Sequence, residues 1–225
     1  MVLRPLKRYP RLPQAAAGGR EHGGPVPRIV DHVRRREDIA RLVVSVVQRA
    51  GAEHATVRHI AKVGGFSSGV LAHYFHDKDE LIGFAFRWVA RETFRELQNA
   101  VADAAPGLAR LRAALEFMVP TSAATSFTRV WLSLWSGAVS NPVLARVHRG
   151  YYARWRRCLL RYLDEAVRRG ELAAPAARRD AVDLLTAAID GLWLGATFEP
   201  GRYPPRRRRA LVAQLLVAVL GRPGT

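Results

Sequence analysis

Apolar residues recur along most of this chain at the 3.6-residue period of a helix. Ile39, Leu42, Val43, Val46, Val47 and Ala50 fall at i, i+3, i+4, i+7, i+8 and i+11, one face of a helix that stops at Gly51. Phe127, Val130, Trp131, Leu134, Trp135 and Ala138 repeat that spacing, and Asn141-Pro142 closes the segment. Leu144, Val147, Tyr151, Trp155, Leu159 and Tyr162 predict a longer helix ending near Gly170. Leu184, Leu185, Ala188, Ile189, Leu192, Trp193 and Ala196 predict another. After the break from Pro200 to Pro205, Leu211, Val212, Leu215, Leu216, Val219 and Leu220 predict a last one. No segment alternates with period two, so no strand is expected. The predicted fold class is all-α, with about nine helices, in a chain of 225 residues that is long enough to bury a core.

The stretch from Thr56 to Leu81, TVRHIAKVGGFSSGVLAHYFHDKDEL, carries the most information. Thr56 suits the N-cap of a short helix that buries Val57, Ile60 and Ala61. Gly64-Gly65 supplies a turn with a residue free to take positive φ, Phe66 fills the corner, and Ser67 can cap the next helix. That second helix buries Val70 and Leu71 and turns Ser68, Gly69, Ala72 and His73 outward. Ala61, Gly65 four positions on, and Leu71 six beyond that are spaced as in a helix-turn-helix. A helix bearing short polar side chains fits a DNA major groove, and its N-terminal N–H groups point toward phosphate. Tyr74 and Lys78, at and just past its end, are placed to bind the flanking backbone, which sets orientation rather than sequence preference.

Charge supports this reading in part. Lys and Arg total 36 against 19 Asp and Glu, a formal charge of +17. So large an excess favours polyanions. Lysine occurs only at Lys7, Lys62 and Lys78, however, so the excess is arginine and can reflect base composition of the genome. A charge-driven, nonspecific nucleic-acid-binding protein is therefore the alternative, although it leaves the large aromatic C-terminal part unexplained. Residues 1–30 lack apolar periodicity, are rich in Pro, Gly and Arg, and read as a disordered basic arm. No run approaches the roughly 18 to 20 unbroken apolar residues of a membrane span, and no secretory segment is evident; the expected location is cytoplasmic, with no membrane partner. Cys158 is the only cysteine, which rules out an intrachain disulfide and a cysteine-rich zinc site. His54, His59, His73 and His76 cluster in sequence without a carboxylate or cysteine at ligand spacing, so no metal is expected. No phosphate loop or nucleophile motif points to an enzyme, and no cofactor is implied.

HYFHDKDEL, preceded by a Gly-Phe-Ser turn, resembles the signature that ends the DNA-binding head of TetR-type repressors, and the likeness covers about residues 31–85. The resemblance implies a three-helix head over 31–77 and a ligand-binding and dimerisation part over 78–225. Carried over by position, Thr56, Ser67, Tyr74 and Lys78 would serve backbone phosphates, while Ser68, Gly69 and His73 would lie nearest base edges. Ala72 departs from the aromatic residue frequent at that place, so one backbone contact would be missing.

VWLSLWSGAVSNPVLARVHRGYYARW and AAIDGLWLGATF resemble body segments of the choline-responsive BetI branch of that family. Aromatic residues at helical spacing, Phe127, Trp131 and Trp135, then Tyr151 and Trp155, then Trp193, read either as core packing or as the lining of a pocket between helices. Asp190 or Glu116 beside those rings would suit a cation such as a quaternary ammonium. The last two helices are apolar on one face, in part more broadly than a monomer's surface shows, and the resemblance implies that they pair with their symmetry mates in a twofold homodimer that presents two heads to a palindromic operator in double-stranded DNA. The run Arg206 to Arg209 reads as a solvated rim of the last helix.

Overall fold

The computed structural model describes residues 29–65, 67–119, 126–175 and 177–221. The basic arm expected over 1–30 falls, up to residue 28, outside the described residues, as does Phe66. Among the described residues there are nine α-helices, one 3-10 turn and no strand, as the periodicity requires. The helices are α1 (Ile29–Ala50), α2 (Val57–Gly64), α3 (Ser68–Tyr74), α4 (Lys78–Ala100), α5 (Leu108–Met118), α6 (Ser126–Ser140), α7 (Pro142–Arg168), α8 (Arg178–Phe198) and α9 (Pro205–Leu220). They divide into two compact units. The first takes the described residues up to Arg91 together with Ser126–His148, and the second takes those from Glu92 to Val119 together with Arg149 onward. The short helices of the expected head therefore share their unit with α6 and the start of α7.

In the first unit the core is built on α1, whose Ile39, Ala40, Val43, Val44 and Val47 are buried and which packs on α2 and α6. α1 stops where Gly51 takes φ 94°, a conformation that favours glycine. Its last carbonyls would lack partners. Arg129 of α6 supplies them, donating from Nη1 to the oxygens of Gln48 and Arg49 at 2.9 Å each. Asn141 caps α7: its Oδ1 accepts from the N–H of Val143 at 2.8 Å and of Leu144 at 3.2 Å, with Pro142 in the first helical position. The Asn141 amide also donates to Asp79 Oδ1 at 2.9 Å, tying this junction to the start of α4. At Gly83 a Cβ would stand 2.6 Å from Val143 Cγ1, so only glycine lets α4 approach α7 this closely.

The second unit packs α8 on α9 and both on α5. Buried residues on the facing sides are Leu111, Ala114 and Leu115 of α5 and Val182, Leu185 and Ile189 of α8. The N-terminus of α5 is capped from a distance: Glu171 accepts from Leu108 N at 2.7 Å. α8 is the one described helix long and apolar enough to cross a membrane, with a mean hydropathy of 1.3. Asp183 and Asp190 interrupt its apolar run, and its buried side is spent on α5 and α9. The solvated-rim reading of Arg206 to Arg209 holds for three of the four. Arg208 is only 6% exposed, because it shares a face with Val212, Leu216 and Leu220 at i, i+4, i+8 and i+12. Burial lowers its pKa.

Candidate nucleic-acid interface and effector site

Local chemistry explains each piece of the helix-turn-helix. Thr56 is the N-cap of α2, its hydroxyl accepting from His59 N at 3.2 Å. Gly65 closes that helix in the left-handed region, φ 70° and ψ 29°, donating to Ala61 and Lys62. Ile60, Ala61 and Leu71 are buried where α2 and α3 pack. Ser67 holds the N-cap position of α3 with extended backbone, but its side chain makes no capping bond, unlike the expectation. Val57 and Val70 are half-buried rather than buried. Outward on this motif are Thr56, Ser67, Gly69, Ala72 and His73; Lys78 is exposed at the first position of α4. Ser68 opens α3, and its side chain lies outside the described ones.

The acidic run after α3 is a cap. Asp77 Oδ1 accepts from Glu80 N at 2.7 Å, and Glu80 Oε2 accepts from His76 N at 2.8 Å, a variant of the reciprocal capping box. Glu80 Oε1 also pairs with Arg36 at 2.7 Å, and the Arg36 guanidinium lies 4.7 Å from the Phe75 ring. The His76 N–H, with Arg36 adding to it against burial, holds the Glu80 carboxyl below its usual range. Helical periodicity gave no sign of a role for His32. Its ring, from α1, lies 5.3 Å from that of His73 and 4.9 Å from that of Tyr74, which are themselves 5.1 Å apart.

The aromatic residues expected to line a pocket fall in two groups. Trp131 and Trp135 are half-buried on α6 in the first unit, where Phe127 also lies with its side chain outside the described ones. Tyr151, Trp155, Asp190 and Trp193 are in the second unit. Trp155 is 2% exposed and sits in the core; Trp193 is half-buried. Around Asp190 the second unit builds a polar centre. Tyr152 donates from its hydroxyl to Asp190 Oδ2 at 2.9 Å. The Tyr152 ring is 5.6 Å from that of Tyr151, which is 5.3 Å from Phe94 and whose hydroxyl meets Met118 Sδ at 3.6 Å. Burial raises the Asp190 carboxyl to about 6, against the Tyr152 hydrogen bond and the charge of Arg156. Burial, then the Asp190 charge, pushes both tyrosines up. Glu116, the other acidic candidate, is tied to Arg112 at 2.8 Å on its own helix. Phe94 and Met118 were invisible to pattern reading because neither belongs to an aromatic stripe.

Residues 106–221 match the family model described as the C-terminal part of BetI-type transcriptional repressors. The regulator BetI of Stenotrophomonas maltophilia is 34% identical over 79% of this chain and 88% of its own length. The chain belongs to the TetR family of transcriptional regulators, in its BetI-type group. PksA of Bacillus subtilis is equally similar, 34% identical over 84% of this chain and 91% of its own length. Among solved structures, a transcriptional regulator of Pseudomonas aeruginosa superposes with a TM-score of 0.73 at 27% identity, over 83% of this chain and 90% of that one. A regulator of Saccharomonospora viridis, solved with choline, shares the fold with a TM-score of 0.74 at 18% identity, over 86% of this chain and all of that one. Membership makes this TetR-type chain a ligand-responsive, DNA-binding transcriptional regulator rather than an enzyme, and the purely charge-driven alternative finds no support.

A cavity lies in the first unit of this TetR-type chain. It is an open groove of about 600 Å³, lined among others by Gly51, Arg129, Ser133, Ser136 and Leu144. It takes none of the tryptophans. Cys158 is buried.

Proposed function

We propose that this regulator is a homodimeric repressor that reads a palindromic operator with residues 31–77 and is released when a cation, of the quaternary ammonium class, binds within residues 78–225. Thr56, Ser67, Tyr74 and Lys78 hold phosphates in this reading, and Ser68, Gly69 and His73 face the bases. The exposure of Gly69 and His73, the cap geometry of Thr56, and the position of Lys78 at the start of α4 support it.

The observation that carries the effector class is the Asp190 centre: a half-buried carboxylate bonded by Tyr152, whose ring packs on Tyr151 and, through it, on Phe94. An ionised carboxylate there is costly, as its raised pKa states. The folded state holds its proton more tightly than an unfolded chain, so stability declines as pH rises from about 4 through about 6. Above that, Asp190 is charged and unfavourably placed, and a cation beside it recovers the loss. Ring faces add attraction for a methylated ammonium. The choline in the Saccharomonospora viridis regulator makes choline the natural first compound. Arg154 lies 4.2 Å from the centre of the Phe94 ring and Arg156 5.6 Å from that of Tyr152, so an ammonium bound here competes with arginine for the ring faces.

The expected result of a choline titration at about pH 7.5, followed by calorimetry, is saturable binding lost in Asp190→Asn. Affinity in the wild type should stay flat above about pH 7 and fall about tenfold per unit below about pH 6, as the proton displaces the cation. Binding that ignores both pH and Asp190→Asn would place the effector elsewhere. The homodimer rests on α8 and α9. Leu184, Ala187, Gly191 and Phe198 form an outward stripe on α8, and Val217 is exposed on α9. So continuous an apolar stripe marks an association surface.

A further inference from the structure

The Phe84 ring of α4 is surrounded by guanidinium groups. Arg36 lies 4.8 Å from its centre, Arg91 5.9 Å and Arg87 6.0 Å. Two of these are matched by carboxylates, Arg36 by Glu80 at 2.7 Å and Arg91 by Glu37 at 3.6 Å. Arg87 has no ion pair among the described residues, and neither has Arg146, exposed near the start of α7. The Arg87 side chain folds back along α4, where Gly83 leaves room: Nη1 stands 3.3 Å from where a Cβ would be. Burial lowers the Arg87 pKa first, and repulsion from Arg36, Arg91 and Arg146 adds to it against the attraction of Glu80.

Three helices thus bring four arginines and two carboxylates to one place in the first unit, leaving two positive charges unmatched. Arg87 and Arg91 are four apart on one helix, where like charges repel. Such an arrangement is stabilised by an anion. Guanidinium groups present paired N–H donors that match the oxygens of phosphate better than a point charge does.

We propose that Arg87 and Arg146, backed by Arg91, bind a phosphate group at a site distinct from α3. The phosphate belongs either to the DNA backbone flanking the half-site, which rests on the DNA-reading role of the head, or to free inorganic phosphate. Arg87 lies nine residues past Lys78, about 13 Å along the helix, so a phosphate bound here is a different one from any held by Lys78.

The test uses the full-length protein and Arg87→Gln/Arg146→Gln, which leaves both ion pairs around Phe84 in place. Two titrations are made on each: inorganic phosphate followed by calorimetry, and duplex DNA, specific and scrambled, followed across salt concentration. A backbone site predicts that the variant loses about 0.9 in salt slope for each phosphate contact removed, on both duplexes, with sequence preference unchanged. A free-anion site predicts saturable phosphate binding in the wild type, at least tenfold weaker in the variant, with the salt slope unchanged. If the variant matches the wild type in both titrations, the site is overturned. Absence of sequence preference in the wild type would sink the operator reading alone, because the phosphate titration and the scrambled duplex still decide this one.

Discussion

Replacing Gly69 with leucine should leave the protein folded and remove operator binding. Gly69 is the second residue of α3, it is exposed, and a Cβ there would meet only Ser67 Oγ, at the ordinary contact distance of 3.7 Å. Within the protein the larger side chain has room, and leucine is the better helix former by roughly 0.5–1 kcal/mol. Thermal stability is thus expected to hold or rise slightly. Against DNA, in the proposed docking, the same four carbons stand where α3 approaches the base edges. Displacement of one reading helix costs on the order of 1–3 kcal/mol for each spoiled base contact, and a dimer suffers it twice. A loss of affinity of about 100-fold or more is expected in a shift assay, with residual binding equal on specific and scrambled DNA. A folded Gly69→Leu protein with unchanged operator affinity would remove α3 from the groove.

The second large effect concerns assembly. Gly191 lies on the outward stripe of α8 between Leu184, 60% exposed, and Phe198, 67% exposed, and a Cβ on it would meet nothing within 4 Å. In the proposed dimer, small residues at Ala187 and Gly191 would let a second helix come close, with the large residues flanking them. Gly191→Arg has space in the isolated protomer, yet it sets two charges against each other at a twofold interface without partners. Sedimentation should show a folded species of half the wild-type mass. Operator affinity should drop by roughly 10²–10⁴, because two linked heads become two independent ones. A variant that remains dimeric would move the interface off this stripe.

Much of this was legible in the chain because periodicity reports which side of a helix is buried. Ile39 to Ala50 and Leu144 to Tyr162 read as helices and are helices. Thr56 and Gly65 were equally plain, since an N-cap and a left-handed glycine act through their immediate neighbours. What stayed hidden depends on residues far apart in sequence. Glu171 capping α5 across 63 positions, Arg129 closing α1 across about 80, and His32 against His73 have no local pattern. Arg208 was misread for a related reason: within four arginines only the helix phase separates the one that turns inward. At the candidate effector site, Asp190 stood out as an acidic residue beside aromatics, whereas its hydrogen bond from Tyr152 needs α7 and α8 side by side.

Selection of bound duplexes from a fully randomised DNA pool, at one fixed salt concentration, measures most directly whether this regulator reads sequence. The randomised pool contains every half-site, so the operator itself need not be in hand. The expected outcome is enrichment of two inverted half-sites whose centres lie about one helical turn apart, roughly 10 base pairs. A pool that shows no enriched sequence after repeated rounds, while still binding in a strongly salt-dependent way, would contradict sequence reading and leave a basic protein held to DNA by charge alone.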